Sequence, residues 1–274
     1  MFNDYQPNRF GPGRSAVISR HGAVATSQPL AAQAGLQILR DGGNSIDAAV
    51  ATAAMLNVVE PMSTGIGGDA FMLVYQPKDE KILGLNASGR APYAAELTFF
   101  ADQELAYIPN YHSMYAVTVP GAVDGWATLL ERCGTMTMAD VLQPAISHAE
   151  NGFPVSPQIS LSWQASTPLL SHCLDTLQTY LIGGRAPKPG EVFKNINLAQ
   201  TLRLIGEGGR DAFYHGQIAE KIVKFSSENG GLFTMQDFID HTSDWVEPIS
   251  VDYRGYDVCE IPPNGQGIAA LMAL

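Results

Sequence analysis

Arg90 is the side chain in this sequence whose type and position most clearly suggest chemistry. It stands in the run 86–92 (NASGRAP), where an apolar, strand-like segment leaves the core. A guanidinium can hold a carboxylate through two parallel hydrogen bonds, so this position suits the carboxylate of a substrate. Gly89 would leave space for a ligand to approach. The alternative is an internal ion pair with Asp69 or Glu60, which the spacing alone favours.

A dense cluster of glycines occupies residues 64–69 (TGIGGD). Glycine-rich phosphate loops follow a strand and open a helix, whereas here a helix-like segment precedes the cluster and a strand-like segment follows it. No Gly-Lys-Ser or Gly-Lys-Thr sequence follows, which excludes a Walker loop. The cluster therefore predicts close backbone packing where a buried helix enters a central strand.

The sequence offers no pattern for a metal site or a familiar nucleophile. Its six histidines are scattered without metal-ligand spacing. Cys133, Cys173 and Cys259 lie far apart, which argues against a zinc site or a disulfide framework and predicts free thiols. Asp124 and Asp140 stand at predicted helix starts, where we expect them to act as caps. We expect neither a metal nor an organic cofactor.

The composition is that of an acidic globular protein. Apolar residues make up 46% of the 274 residues, and 16 Lys and Arg face 27 Asp and Glu, giving a net charge of −11. This balance disfavours nucleic acid and anionic membrane surfaces as partners. The first residues show no signal peptide, and the most apolar run, 48–59, is shorter than the roughly 20 residues that span a bilayer. We expect a cytoplasmic protein.

Two helices and a hairpin are predicted early in the chain. Pro29 opens a helix that ends at Arg40 before two glycines, and an Ala-rich helix over 47–58 is apolar on nearly every face. Residues 71–86 form a hairpin of strands that are apolar on both faces, so layers should cover the sheet on both sides. A further hairpin is predicted over 16–27.

The middle of the chain is predicted to be mainly helical. A short strand over 115–119 precedes this region, a strand pair over 248–261 follows it, and the Gly- and Pro-rich stretch 183–195 is the predicted flexible surface loop. The predicted helices span 123–132, 139–151, 197–206, 216–229 and 234–240. Paired strands with helices on their faces define a layered α+β domain with a mainly helical insertion at about 120–245.

The last residues, 268–274, predict an apolar helix that lacks the Gly, Asn, Lys or Arg usual at a helix end. We therefore expect residues 1–274 to be the front part of a longer protein. The alternative is a natural, short C-terminal helix packed into the core.

Six motifs follow one another along the chain. They are residues 41–51 (DGGNSIDAAVA), 60–68 (EPMSTGIGG), 119–126 (VPGAVDGW), 152–155 (GFPV), 211–216 (DAFYHG) and 262–267 (PPNGQG). Together they resemble the γ-glutamyltranspeptidase family, from about Gly22 to Leu274. The resemblance implies a four-layer αββα sandwich of the N-terminal-nucleophile hydrolase type, incomplete in this chain. It also implies a self-cleaving precursor, whose nucleophilic Thr opens a small subunit beyond Leu274.

The same resemblance implies that Arg90 binds the α-carboxylate of a γ-glutamyl group. No catalytic residue is then expected within this chain, which by itself should be inactive. Many members have Glu after the Arg, where this sequence has Ala91, and Asp69 stands where they have a third Gly. In these two departures the sequence resembles a cytoplasmic, acylase-like branch of the family. The expected partners are a γ-glutamyl or related acyl-amide substrate and the small subunit, with homo-oligomer formation left open.

Two other functions stay open from the sequence. One is a glutaryl or cephalosporin-type acylase of the same chemical class. The other is a non-catalytic binding domain, which would apply if the full gene ended at Leu274, since no nucleophile would then be available.

Overall fold

The computed structural model describes residues 16–109 and 113–274. The predicted hairpin over 16–27 is wrong: as described, residues 16–28 form no strand, and Val17 and Ile18 are largely exposed. Alternating apolar residues permit a strand, but a strand needs a neighbour to take up its backbone hydrogen bonds. The residues that suggested the absence of a signal peptide, and His112, lie outside the described residues.

Two packed helices form the first half of the core, as predicted. Helix α1 spans Pro29–Arg40 and helix α2 spans Ser45–Val59. The Asn44 side chain accepts the amides of Ile46 and Asp47, which gives α2 a capping box. Helix α2 is buried on nearly every side, as its Ala-rich sequence indicates, and packs on α1.

A three-stranded antiparallel sheet follows. Strands β1 (Ala70–Gln76) and β2 (Lys81–Ala87) form the predicted hairpin, and β5 (Asp244–Val246) pairs with the other edge of β2. Helix α4 (Ala122–Cys133) packs against β1 and β2. Among the described residues, the expected cover on both faces is found over β1 on one face only. On β1, every second side chain points away from the core and stays open: Phe71 (45% exposed), Leu73 (43%) and Tyr75 (60%).

The middle of the chain is mainly helical, as expected, and contains helices that the sequence did not predict. Helices α3 (Leu97–Asp102), α6 (Pro157–Leu170) and α7 (Leu174–Tyr180) were missed. The predicted strand over 115–119 is wrong, because this segment joins no ladder; its end is held by the Val119 amide, which donates to the Arg90 carbonyl. The other helices agree with prediction within a few residues, except that α8 extends to residue 214: α5 (Met138–Asn151), α8 (Ile196–Tyr214), α9 (Gln217–Glu228) and α10 (Met235–Ile239).

The stretch 183–195, predicted to be a flexible surface loop, is tied down at several points. Arg185 grips Glu191 with two hydrogen bonds of 2.8 Å, and this partner lowers the pKa of Glu191 to about 2. The short strands β3 (Phe153–Pro154) and β4 (Val192–Phe193) then pair at the end of the stretch. The Gly and Pro content correctly indicated a surface turn, but it carried no information about the ion pair.

The chain ends in the predicted strand pair and helix. Strands β6 (Ile249–Tyr253) and β7 (Tyr256–Glu260) form a separate two-stranded sheet, and helix α11 spans Gly267–Ala273. Between them, Asn264 forms hydrogen bonds with the side chains of Asn86 and Ser88, which anchors the 262–267 turn beside the end of β2. None of the helices in the described ranges combines the length and apolarity needed to cross a bilayer.

Candidate functional site

The backbone around Arg90 is fixed on both sides. Two residues after β2 ends, the Gly89 amide donates to Asp69 Oδ1 over 2.8 Å, and the Arg90 carbonyl accepts the Val119 amide over 3.0 Å. A Cβ on Gly89 would lie 1.8 Å from the Val119 carbonyl oxygen. Gly89 is therefore required for the close approach of two backbones. Our interpretation that it leaves room for a ligand is wrong.

The Arg90 side chain leaves this fixed backbone and reaches the surface. Its Nη2 lies 2.8 Å from Asp244 Oδ2, and the two side chains are 61% and 57% exposed. The ion pair expected from spacing thus exists, but not with either predicted partner. Asp69 accepts the Gly89 amide, and Glu60 accepts the Ser27 hydroxyl over 2.6 Å. Exposed pairs contribute only about 0–1 kcal/mol, so a carboxylate ligand could displace Asp244 at little cost.

The glycine cluster 64–69 lies beside this site, and its packing differs from the prediction. A Cβ on Gly67 would meet nothing within 4 Å, and one on Gly65 would come no nearer than 4.0 Å to another group. The contact that matters is made by Gly68, whose carbonyl accepts the amides of Gly121 (3.0 Å) and Ala122 (2.9 Å). The cluster therefore holds the N-terminus of α4 through the Gly68 carbonyl. The close packing that we predicted for the cluster is not found at Gly65 or Gly67.

A buried polar cluster supports the strand that carries Asp244. Asp124 is 2% exposed; it accepts Arg210 Nε through Oδ1 and the Ser243 amide through Oδ2, the latter over 2.6 Å. Arg210 also donates to the His241 carbonyl. Asp124 is therefore a buried anchor and not the simple helix cap that we expected. Asp140, in contrast, forms the expected capping box with Thr137.

Tyr214 and His241 complete this cluster. The Tyr214 hydroxyl donates to the Pro120 carbonyl over 2.6 Å and accepts the Asp124 amide, and burial raises the pKa of Tyr214 well above its ordinary value. The His241 ring stacks on Tyr214 with centroids 5.4 Å apart. Burial lowers the pKa of His241, and neither of its ring nitrogens has a hydrogen-bond partner among the described residues. Burial therefore favours the neutral form of the imidazole.

Sequence reasoning found Arg90 but missed Asp244, Arg210 and His241 as neighbours. Arg90 and Asp244 are 154 positions apart, and no local pattern joins them. Only the register of β2 with β5, which pairs Asn86 with Asp244, brings them together. Within residues 16–109 and 113–274, no group of three or more His, Cys, Asp or Glu side chains could hold a metal ion, and the three cysteines are free.

Comparison with known proteins agrees with the motifs. A family model described as Gamma-glutamyltranspeptidase matches residues 31–274. The "Glutathione hydrolase-like YwrD proenzyme" of Bacillus subtilis (strain 168) is 41% identical over 259 residues, which cover 94% of this chain and 49% of that protein. The chain therefore spans about half the length of this curated relative, and 45% of a second, the "Glutathione hydrolase proenzyme" of the same strain.

Two solved structures match most of this chain. The γ-glutamyltranspeptidase of Helicobacter pylori gives a TM-score of 0.86 at 30% identity, over 92% of this chain and 73% of that one. The cephalosporin acylase of Bacillus halodurans gives 0.85 at 45% identity, over 96% and 51%. The fold and these likenesses define an α+β chain of an enzyme family. More narrowly, the chain belongs to the γ-glutamyltranspeptidase family.

Proposed function

We propose that the full-length protein hydrolyses or transfers γ-glutamyl groups, using glutathione or another γ-glutamyl amide. A Thr freed by self-cleavage downstream of Leu274 would attack the amide, with its own amine as the base. Backbone N–H groups would stabilise the tetrahedral oxyanion. Arg90 would hold the α-carboxylate and so position the amide for attack. No metal or organic cofactor takes part in this mechanism.

The state of Arg90 is the observation that carries the proposal. Its backbone is anchored on both sides by hydrogen bonds, yet its guanidinium is 61% exposed and, among the described residues, pairs with one exposed carboxylate. A structural arginine that served only to satisfy a buried acid would be enclosed, as Arg210 largely is beside Asp124. To bind a carboxylate ligand, an arginine needs a fixed backbone and a guanidinium whose paired N–H donors are accessible.

We further propose that a second half of the same precursor completes the fold. Among the described residues, strand β1 pairs only with β2 and is an edge of its sheet, and Phe71, Leu73 and Tyr75 form an apolar face on it. Exposed apolar faces of this kind mark surfaces that another element covers. Packing of a second sheet on this face would give the four-layer αββα sandwich, with the mainly helical region at about 120–245 as an insertion of the first half.

The test is an assay of the full-length gene product, together with the downstream coding sequence. We expect a junction that begins with Thr, self-cleavage into two subunits, and hydrolysis of γ-glutamyl-p-nitroanilide. A Thr→Ala variant at that junction is the control and should neither mature nor turn over. A wild-type protein that matures but releases no p-nitroaniline from this substrate would contradict the proposal.

A second candidate activity is that of a glutaryl or cephalosporin-type acylase. Two observations favour it: the 45% identity to the cephalosporin acylase of Bacillus halodurans, and Ala91 where many members have Glu. Glutaryl-p-nitroanilide carries the same leaving group but lacks the α-amine, so the two substrates separate the two activities. Cytoplasmic location also stays a proposal, and fractionation of the native cells would test it.

A further inference from the structure

Asp69 and Gly89 face each other where β1 and β2 separate. The pairing of the two strands ends at Ala70 and Ala87, and Asp69 immediately precedes β1. Beyond this last pair the Asp69 carboxylate takes the place of the strand backbone, because its Oδ1 accepts the Gly89 amide over 2.8 Å. One side chain thereby continues the hydrogen bonding between the two segments as far as the residue just before Arg90.

The backbone on either side of Asp69 is itself held. The Gly68 carbonyl before it accepts the amides of Gly121 and Ala122 at the start of α4, and the residue after it opens the paired strand β1. A Cβ on Gly121 would lie 2.2 Å from the Ala87 carbonyl oxygen, so the start of α4 also packs directly against the end of β2. Asp69 is therefore an acceptor with a fixed backbone.

Gly89 is the point at which Arg90 could most easily lose its position. Glycine has more backbone freedom than any other residue, and Gly89 directly precedes Arg90. The Val119 amide holds the Arg90 carbonyl, after this glycine, whereas the Asp69 carboxylate holds the Gly89 amide, before it. Since the guanidinium lies at the end of a long side chain, a small change at Gly89 would move it further than the backbone itself.

The bond between Asp69 and Gly89 lies at the surface. Water can replace an exposed acceptor, so the loss of such a bond has little effect on global stability. Many members of the family have a third Gly where this chain has Asp69, and a glycine has no side chain to accept the amide. The bond is therefore better explained as a local constraint on the Arg90 segment than as a support of the fold.

We propose that Asp69 is a positioning residue for substrate binding: by accepting the Gly89 amide, it holds Arg90 in the orientation that binds the carboxylate of the substrate. This inference rests on the proposed function, in which Arg90 takes that carboxylate. The role of Asp69 depends on where its oxygen lies and not on its negative charge. A misplaced guanidinium keeps its charge, but its paired donors no longer meet a carboxylate in the plane that two parallel bonds need.

The test uses the full-length enzyme, γ-glutamyl-p-nitroanilide and a series of substitutions at position 69. Asp69→Ala removes the acceptor, Asp69→Asn keeps an oxygen in the same place without the charge, and Asp69→Glu keeps the charge but displaces it by one methylene. We expect kcat/KM to fall by about tenfold or more in the Ala variant, and to stay within about threefold of wild type in the Asn variant. The Glu variant should be less active than the Asn variant.

The matched control is Asp140→Ala. It removes another exposed carboxylate that accepts a backbone amide, that of Thr137, and should leave kcat/KM unchanged. Thermal unfolding of the mature proteins accompanies the kinetics, and Asp69→Ala should unfold close to the temperature of the wild type. A lower unfolding temperature without a lower kcat/KM would make Asp69 a structural residue only.

A double substitution shows whether the effect passes through Arg90. In an Arg90→Lys enzyme, Asp69→Ala should lower kcat/KM by less than about threefold, because both changes damage the same interaction. A fall as large as in the wild-type background would show that Asp69 acts independently of Arg90, which would overturn the inference.

The order of the variants decides the matter even if Asp69→Ala does not mature. A Glu variant more active than the Asn variant would show that the charge matters and not the position of the acceptor. Failure of all three variants to mature would also reject the inference. If the wild type hydrolyses γ-glutamyl-p-nitroanilide, these results reject only the role of Asp69. If the mature wild type releases no p-nitroaniline, the proposed function fails, and the inference fails with it.

Discussion

Asp124 and Ser243 are 119 positions apart in sequence, and the Ser243 amide donates to Asp124 Oδ2 over 2.6 Å. Arg210 completes the contact by donating both to Asp124 and to the His241 carbonyl. The short segment that leads into β5 is thereby held at two backbone groups, the His241 carbonyl and the Ser243 amide. Its next residue is Asp244, the partner of Arg90, so the buried cluster sets the position of the charges at the surface.

The first prediction concerns Arg90 itself. In the full-length enzyme, Arg90→Lys is expected to lower kcat/KM for γ-glutamyl-p-nitroanilide by about tenfold or more, because an ammonium cannot reproduce the two parallel bonds of a guanidinium. Arg203→Lys is the matched control, since Arg203 is also an exposed arginine with a single carboxylate partner, Glu150. An Arg90→Lys enzyme with the kcat/KM of the wild type would show that Arg90 has no part in substrate capture.

Local patterns predicted much of the fold and little of the site. The α1–α2 pair, the β1–β2 hairpin and the β6–β7 pair each depend on residues within about 30 positions, and Pro, Gly and capping residues mark their ends in the sequence. The hairpin expected over 16–27 failed because apolar alternation does not tell whether a partner strand lies beside it.

The site could be predicted only in part, because long-range pairing assembles it. Arg90 was identified through its motif, but its partner Asp244 comes from β5, and sequence spacing instead suggested Asp69 or Glu60. Asp124 was assigned to a helix cap because its position at the start of α4 is a common place for one. Its burial and its contact with Arg210 depend on how α4 and α8 pack, which the sequence does not encode locally.

The second prediction is that Asp124→Asn strongly destabilises the protein. Its carboxylate is 2% exposed and faces the Arg210 guanidinium, so removing the charge leaves a partly buried cation without its counter-ion. Breaking a buried pair in this way costs about 3–5 kcal/mol. Urea unfolding measures the loss. Asp140→Asn, at the exposed third position of the α5 capping box, where the Asn Oδ1 can still accept the Thr137 amide, should cost about 1 kcal/mol or less. Equal effects of the two substitutions would contradict the anchor role of Asp124.

The third prediction concerns pH. Burial lowers the pKa of His241, with Asp124 opposing this effect and Arg210, Arg90 and Asp69 among the nearby charges. The unfolded chain therefore binds a proton at higher pH than the native one. The contribution of this residue is present above the unfolded pKa of about 6.5, and it is lost as the pH falls from there through the folded value.

Replacing the ring isolates this contribution. His241→Phe keeps the stacking on Tyr214 and removes two nitrogens that have no partner among the described residues. We expect similar or higher stability at pH 7.5 and a flatter decline between about pH 7 and pH 5, measured by thermal unfolding over that range. His172→Phe is a control away from this cluster. A decline as steep in His241→Phe as in the wild type would show that His241 does not titrate on unfolding in this range.

The fourth prediction tests the close approach at Gly89. Gly89→Ala would place a methyl group 1.8 Å from the Val119 carbonyl oxygen, so one of the two backbones must move. Overpacking of this kind costs about 1–3 kcal/mol, and it would also displace Arg90. Gly67→Ala, in the neighbouring glycine cluster, meets nothing within 4 Å and is the control. We expect only Gly89→Ala to lower both the unfolding temperature and kcat/KM; unchanged values for it would contradict the described packing.

The last prediction concerns residues 1–274 produced alone. This chain should show no turnover and should self-associate. Within the part of the chain that the structure describes, β1 has one unpaired edge and carries the open side chains of Phe71, Leu73 and Tyr75. Tyr75→Lys places a charge on that face and should reduce light scattering, since charged residues on edge strands oppose pairing. Tyr256→Lys, at an exposed position on β7, is the matched control. A monomeric chain that unfolds cooperatively, or an equal effect of both substitutions, would mean that the β1 face does not drive association.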